Sequence, residues 1–93
     1  MKAIWNDTLL AESDKTIVVE GIHYFPPDSI NRQYLKESDR RTTCLWKGEA
    51  YYYTIEAGGG MHEDGAWYYP DPKQEARPIK DYVAFSGDVG IVK

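Results

Sequence analysis

The sequence predicts a mainly β domain of about eight short antiparallel strands with one or two short helices. Three observations carry this. Runs of four to eight residues rich in Val, Ile, Thr, Tyr, Phe and Trp recur along the chain. Each run ends in a cluster of Gly, Pro, Asn, Asp or Ser. The one stripe with helical spacing, Ile30, Tyr34 and Leu35, is short. At 93 residues the chain has room for one core, so a single compact domain over 1–93 is expected.

The elements follow in order. Residues 2–5 form a strand, Asn6-Asp7 a two-residue hairpin turn, and residues 8–12 its partner. Ser13-Asp14-Lys15 is a second turn. Residues 16–20 are β-branched and apolar and continue past Gly21 into Ile22-His23-Tyr24-Phe25, with Gly21 as a bulge or a close backbone approach, so these strands make a meander. Pro26-Pro27 ends that run, and Asp28 or Ser29 can cap a short helix bearing Ile30, Tyr34 and Leu35. Strands then run over 40–44 and 49–56, and Gly58-Gly59-Gly60 turns the chain into a strand over 61–69, interrupted at Gly65. A Pro-punctuated loop over 70–78 with one turn of helix precedes strands at 82–85 and 89–92.

Charge and cysteine usage narrow the function. Eleven basic against fifteen acidic residues leave a net charge of −4, against the basic footprint that nucleic-acid binding needs. Lys36, Arg40 and Arg41 are the only local basic cluster and read as a solvated turn. A single cysteine permits no internal disulfide, which fits a reducing compartment. The amino terminus meets charge at once, unlike a signal peptide, and no apolar run approaches a membrane span of ~20 residues. A cytoplasmic location with no membrane partner is expected.

Several chemistries find no support. Cys44, His23 and His62 are scattered, with no paired Cys-x-x-Cys to hold zinc, so no metal site and no cofactor are expected. The triple glycine lacks the Lys-Ser/Thr that completes a phosphate-binding loop and reads as a hairpin turn. No Asp-x-Asp pair is present to hold the metal ions of nucleotidyl transfer. Cys44 is a candidate nucleophile if a tight turn over 44–48 brings the Lys47 cation within reach of its thiol; otherwise it is a small buried apolar residue.

The aromatics are the strongest signal. Seven of thirteen fall in Cys44–Tyr53 and Ala66–Pro72. In an extended strand Tyr51, Tyr53 and Ile55 share one face, and Tyr52, Thr54 and Glu56 the other. The returning strand puts Trp67 and Tyr69 opposite to Tyr68. One face must be core, and the other is either core as well or a binding surface.

Val18-Val19-Glu20-Gly21, Tyr24-Phe25-Pro26-Pro27, Thr42-Thr43-Cys44-x-Trp46-Lys47-Gly48-x-Ala50-x-Tyr52-Tyr53, Ala66-Trp67-Tyr68-Tyr69-Pro70-x-Pro72 and Ile79-x-x-Tyr82-Val83-Ala84-Phe85 together resemble the DUF427 family over nearly the whole chain. The resemblance implies a fold similar to the Mss4-like, or β-tent, proteins. Zinc-binding relatives of that fold use two Cys pairs, and this chain has one Cys, so the zinc site is not implied. Some members carry a nucleotidyltransferase label, which the missing Asp-x-Asp pair argues against. The chain departs from the family pattern at Ile22, at Leu45 and at Ser86-Gly87.

The leading expectation is a small-molecule site near Cys44, with Glu20, Tyr24, Trp46, Lys47, Tyr53, Trp67, Tyr69 and Asp71 as ligand-binding candidates. The rings supply stacking area, Lys47 an anionic contact and Glu20 a balancing carboxylate. The alternatives are an enzyme in which Lys47 activates Cys44, and an interaction module whose exposed rings form an interface, including one between two copies.

Overall fold

The computed structural model describes all residues from Met1 to Lys93. Nine strands form three antiparallel sheets, in agreement with the mainly β expectation. β1 (Lys2–Trp5) and β2 (Thr8–Glu12) are joined at Asn6-Asp7, where φ is 52° and 57°. Two successive positive φ values are what a primed hairpin turn demands, and Asn and Asp tolerate them. β9 (Gly90–Val92) pairs with the other side of β1, so the first and last strands are neighbours.

Three local expectations fail. Lys36, Arg40 and Arg41, expected in a solvated turn, lie along one strand, Leu35–Cys44, where Arg40 and Arg41 stack over the Tyr52 and Tyr51 rings. The run from Thr16 to Phe25 is not one bulged strand in a meander. It is a separate hairpin of β3 (Ile17–Val19) and β4 (Ile22–Tyr24). Glu20 joins Gly21 in the left-handed region, at φ 54° and 79°, and two such residues reverse the chain instead of kinking it. The helix over Ile30, Tyr34 and Leu35 is also absent. Pro27–Ser29 and Arg32–Tyr34 are single 3₁₀ turns, and Leu35 already begins β5 (Leu35–Cys44). Ile30 is held extended, at φ −96° and ψ 131°, by a bridge to Ala11, and the Asn31 N–H donates to the Leu10 carbonyl. Ile30 and Leu35 are buried as expected; only their periodicity misleads.

The central layer is a four-stranded sheet in the order β5, β6 (Gly48–Ala57), β7 (Gly60–Tyr68), β8 (Val83–Phe85). Alternation along its strands builds two cores. On one face Tyr53, Ile55, Ala66, Val83 and Phe85 pack with Ala3, Leu10 and Ala11 of the three-stranded sheet. On the other, Ala50, Ala84 and Tyr69 pack with Tyr24 of β4 and with Ala76 and Ile79 of the 3₁₀ segment Gln74–Ile79. Both faces are therefore covered.

The expected interruption at Gly65 is a bulge. Tyr53 pairs with Ala66 and Ile55 with His62, so residues 63–65 stand opposite Thr54 alone, and Asp64 takes φ 55°. A Cβ at Gly65 would lie 2.8 Å from both the His62 ring and Ile55 Cδ1. No helix is long and apolar enough to cross a membrane.

The two-core arrangement makes a contrast in stability. Ile55→Ala, at a fully buried position, loses about 2–5 kcal/mol in urea unfolding. Leu45→Ala, 87% exposed, changes it by less than about 0.5 kcal/mol.

Candidate functional site around Lys47

β5 and β6 are joined by Leu45-Trp46-Lys47, with Cys44 paired across to Gly48. Gly48 sits at φ 114°, the kind of position that closes a three-residue hairpin loop. A Cβ there would come within 3.4 Å of the Asp71 carbonyl oxygen, because the chain after β7 crosses at this point. The Lys73 N–H donates to the Lys47 carbonyl at 2.8 Å, and Lys73 Nζ donates to the Leu45 carbonyl at 2.6 Å. Tied down in this way, the turn points Leu45 outward, leaves Trp46 38% exposed and sends Lys47 inward, where it is 7% exposed.

Lys47 is the one charged side chain buried in this protein. Its Nζ donates to Glu20 Oε1 at 2.5 Å and lies 3.9 Å from Cys44 Sγ. The ammonium also sits 4.8 Å from the Trp46 ring centroid and 6.0 Å from that of Tyr69, within reach of cation–π attraction. Glu20 occupies the β3–β4 turn, and its side chain is 60% exposed. The pair is asymmetric: the cation is inside and the anion is at the surface.

The electrostatics follow. Burial pulls the Lys47 pKa down, but the Glu20 hydrogen bond and the negative charge that Tyr24, Cys44 and Glu20 can carry outweigh it, so the ammonium is held above its ordinary 10.5. Burial pushes the Cys44 thiol up. The backbone N–H groups of Lys47 and Trp46 and the Lys47 charge pull it further down, against Glu20, and the net result lies below the ordinary 9.0. Burial, with Tyr24 and Cys44 nearby, raises Tyr69, which stays a neutral phenol.

Of the residues singled out from sequence, Glu20, Cys44, Trp46 and Lys47 converge. Trp67 and Tyr69 on one face of the central sheet pack with Tyr24 of the covering hairpin in the core beside the site. Trp67 Nε1 donates to the Tyr24 hydroxyl at 3.4 Å, and the Tyr24 and Tyr69 rings are 6.5 Å apart. Tyr53 is not part of it: it packs in the opposite core, where its hydroxyl accepts from Arg32 at 3.0 Å. Asp71 is exposed in the crossing loop and contributes its backbone only.

Residues unforeseen from sequence complete the surroundings. A cleft of about 110 Å³ lies between Trp46 and the side chains of Ile17, Val19, Ala76 and Ile79, with Glu75 at its edge. The available signal is the spacing of Ala76 and Ile79, three apart across the end of the loop over 70–78 with its one turn of helix. The largest depression, about 690 Å³, is a polar trough elsewhere, lined by Glu12, Asp14, Lys15 and Asp28 among others, and it contains none of these site residues.

This geometry makes two predictions. Iodoacetamide alkylation of Cys44 reaches half its limiting rate below pH 9.0, and Lys47→Met moves that midpoint upward; the pH–rate profile checks both. In the linkage to folding, a depressed Cys44 contributes stability above its unfolded pKa of 9.0 that fades as pH falls, and a raised Lys47 contributes below 10.5 and fades as pH rises. The stability gap between wild type and Lys47→Met therefore widens from pH 7 towards the window between 9.0 and 10.5. At pH 7 the same substitution shifts stability by under about 1 kcal/mol, because an apolar side chain replaces a desolvated cation and Glu20 returns to water. Urea unfolding across this pH range measures it.

Among known proteins, the model of one family, described as a domain of unknown function (DUF427), matches residues 1–92. A search of curated proteins found no match.

Proposed function

The chain belongs to the DUF427 family, a domain of unknown function, and we propose that it binds a small organic anion beside Lys47. The observation that carries this is the asymmetry of the Glu20–Lys47 pair. Tyr24 and Cys44 share with Glu20 the task of outweighing the burial of the ammonium, and an ion pair whose carboxylate is this exposed adds little stability of its own. It is a good device for recognition. The Glu20 carboxylate stands at the mouth of the site on an exposed turn and can swing into water, leaving its place to a ligand carboxylate. The incoming anion meets an ammonium already desolvated and flanked by Trp46 and Tyr69, where charge–charge attraction is stronger than in water.

The cleft beside Trp46 supports the rest of the ligand. Its 110 Å³ is well below the ~300–1,000 Å³ of drug-sized sites, so it takes a short branched or cyclic apolar group. The proposed ligand is therefore a small carboxylate with one compact apolar substituent, partly exposed when bound.

A second reading is favoured by one observation, the Cys44 sulfur 3.9 Å from the Lys47 ammonium, which with the backbone N–H groups of Trp46 and Lys47 favours the thiolate. In that reading Cys44 attacks an electrophilic carbon of the bound molecule, and Lys47 is the group that keeps the thiolate available.

Calorimetric titration with branched-chain and aryl carboxylates tests the proposal. Glu20→Gln removes the competing carboxylate and tightens binding about 1.5- to fivefold, the worth of a partly exposed ion pair. Lys47→Met abolishes it. Equal affinities for wild type, Glu20→Gln and Lys47→Met would overturn the reading. Cys44→Ser binds like wild type and forms no covalent adduct with an electrophilic ligand.

A further inference from the structure

We propose that hydroperoxide joins Cys44 Sγ to Lys47 Nζ in a covalent S–N bond, closing a ring across the β5–β6 turn. The two atoms are 3.9 Å apart on residues separated by Leu45 and Trp46, and the flexible Lys47 stem can close the remaining gap with the backbone in place. Cys44 is partly exposed, so a molecule as small as a peroxide reaches it. It is the only cysteine in the chain, so no second thiol of this chain competes for the oxidised sulfur.

The chemistry balances with these two side chains and one peroxide. The Cys44 thiolate attacks one peroxide oxygen, and the O–O bond breaks. The Lys47 ammonium protonates the departing hydroxide, giving water and leaving a neutral amine beside a sulfenic acid. That amine then attacks the sulfenic sulfur, the S–O bond breaks, and the second proton from Lys47 leaves with the hydroxyl as a second water. Sulfur is oxidised by two electrons and the peroxide is reduced by two. The ammonium supplies both protons, and losing the first creates the nucleophile for the second step. The bond removes the Lys47 charge and so switches off anion binding; this regulatory consequence rests on the ligand reading above, whereas the bond does not.

Native protein is treated with a few equivalents of hydrogen peroxide, digested with trypsin and mapped by mass. The expected product is a peptide spanning 42–73, uncut after Lys47, about 2 Da lighter than its unmodified form and restored by dithiothreitol. Lys47→Arg, and wild type unfolded in guanidinium, instead gain about 16 and then about 32 Da at Cys44. Native wild type that gains these masses as the controls do, with no lighter product, overturns the proposal. So does a product about 14 Da heavier, which would join the same atoms through an oxygen. The two claims separate in the same experiment: a failure of carboxylate binding in untreated protein leaves the peptide-mass result standing.

Discussion

Most of this structure follows from one constraint: β6 and β7 carry large apolar groups on both faces. Tyr53 and Ile55 look one way, and Tyr52, Trp67 and Tyr69 the other. A sheet with one wet face would leave a row of rings in water, so a 93-residue chain has to supply cover twice. The three-stranded sheet closes one side, and the β3–β4 hairpin with the 3₁₀ segment Gln74–Ile79 closes the other. The second cover is the thinner of the two, two short strands and one short helix, and its border is where the cleft beside Trp46 opens. Position of the site and economy of the fold are thus the same fact.

At that border the chain buries a cation it could have left outside. Lys47 is turned inward by a hairpin loop that Gly48 and the Lys73 hydrogen bonds hold shut. Its long apolar stem suits the ring-lined interior, while the ammonium takes the Glu20 carboxylate, the Cys44 sulfur and the face of Trp46 as neighbours. Each neighbour acts on the others. The ammonium favours the Cys44 thiolate, and Glu20, nearest to solvent, favours the ammonium and opposes the thiolate. Removing Glu20 from the pair, by a competing anion or by substitution, therefore frees the Lys47 charge for another partner.

The sequence was most legible where local chemistry decides. Asn6-Asp7 and Gly58-Gly59 are turns because these residues adopt positive φ, and they do so here. It was misleading where a tertiary contact decides. Glu20 carries no turn signal of its own, yet it joins Gly21 in left-handed backbone where Ile17, Val19 and Ile22 of the two hairpin strands pack on the second core. Ile30 and Leu35 were correctly apolar and wrongly helical, because the bridge to Ala11 holds that stretch extended. For the site, Cys44 and Lys47 were legible together, being in one turn, and Glu20 was legible as a balancing charge. Tyr53 was misplaced because alternation puts it on a face without saying which cover that face receives. The cleft-lining Ala76 and Ile79 could not be joined to Trp46 from sequence, since the approach depends on the chain crossing over Gly48.

The central claim is that Glu20 occupies the place of a ligand anion over a buried Lys47. The most direct measurement is an NMR titration of the backbone amides and tryptophan indoles with a panel of small branched and aryl carboxylates. The account predicts shifts confined to residues 17–20, 46–48 and 75–79, including the Trp46 indole, with no change at Tyr53 or in the three-stranded sheet. Saturable shifts confined to another surface, or none at all with any member of the panel, would contradict it.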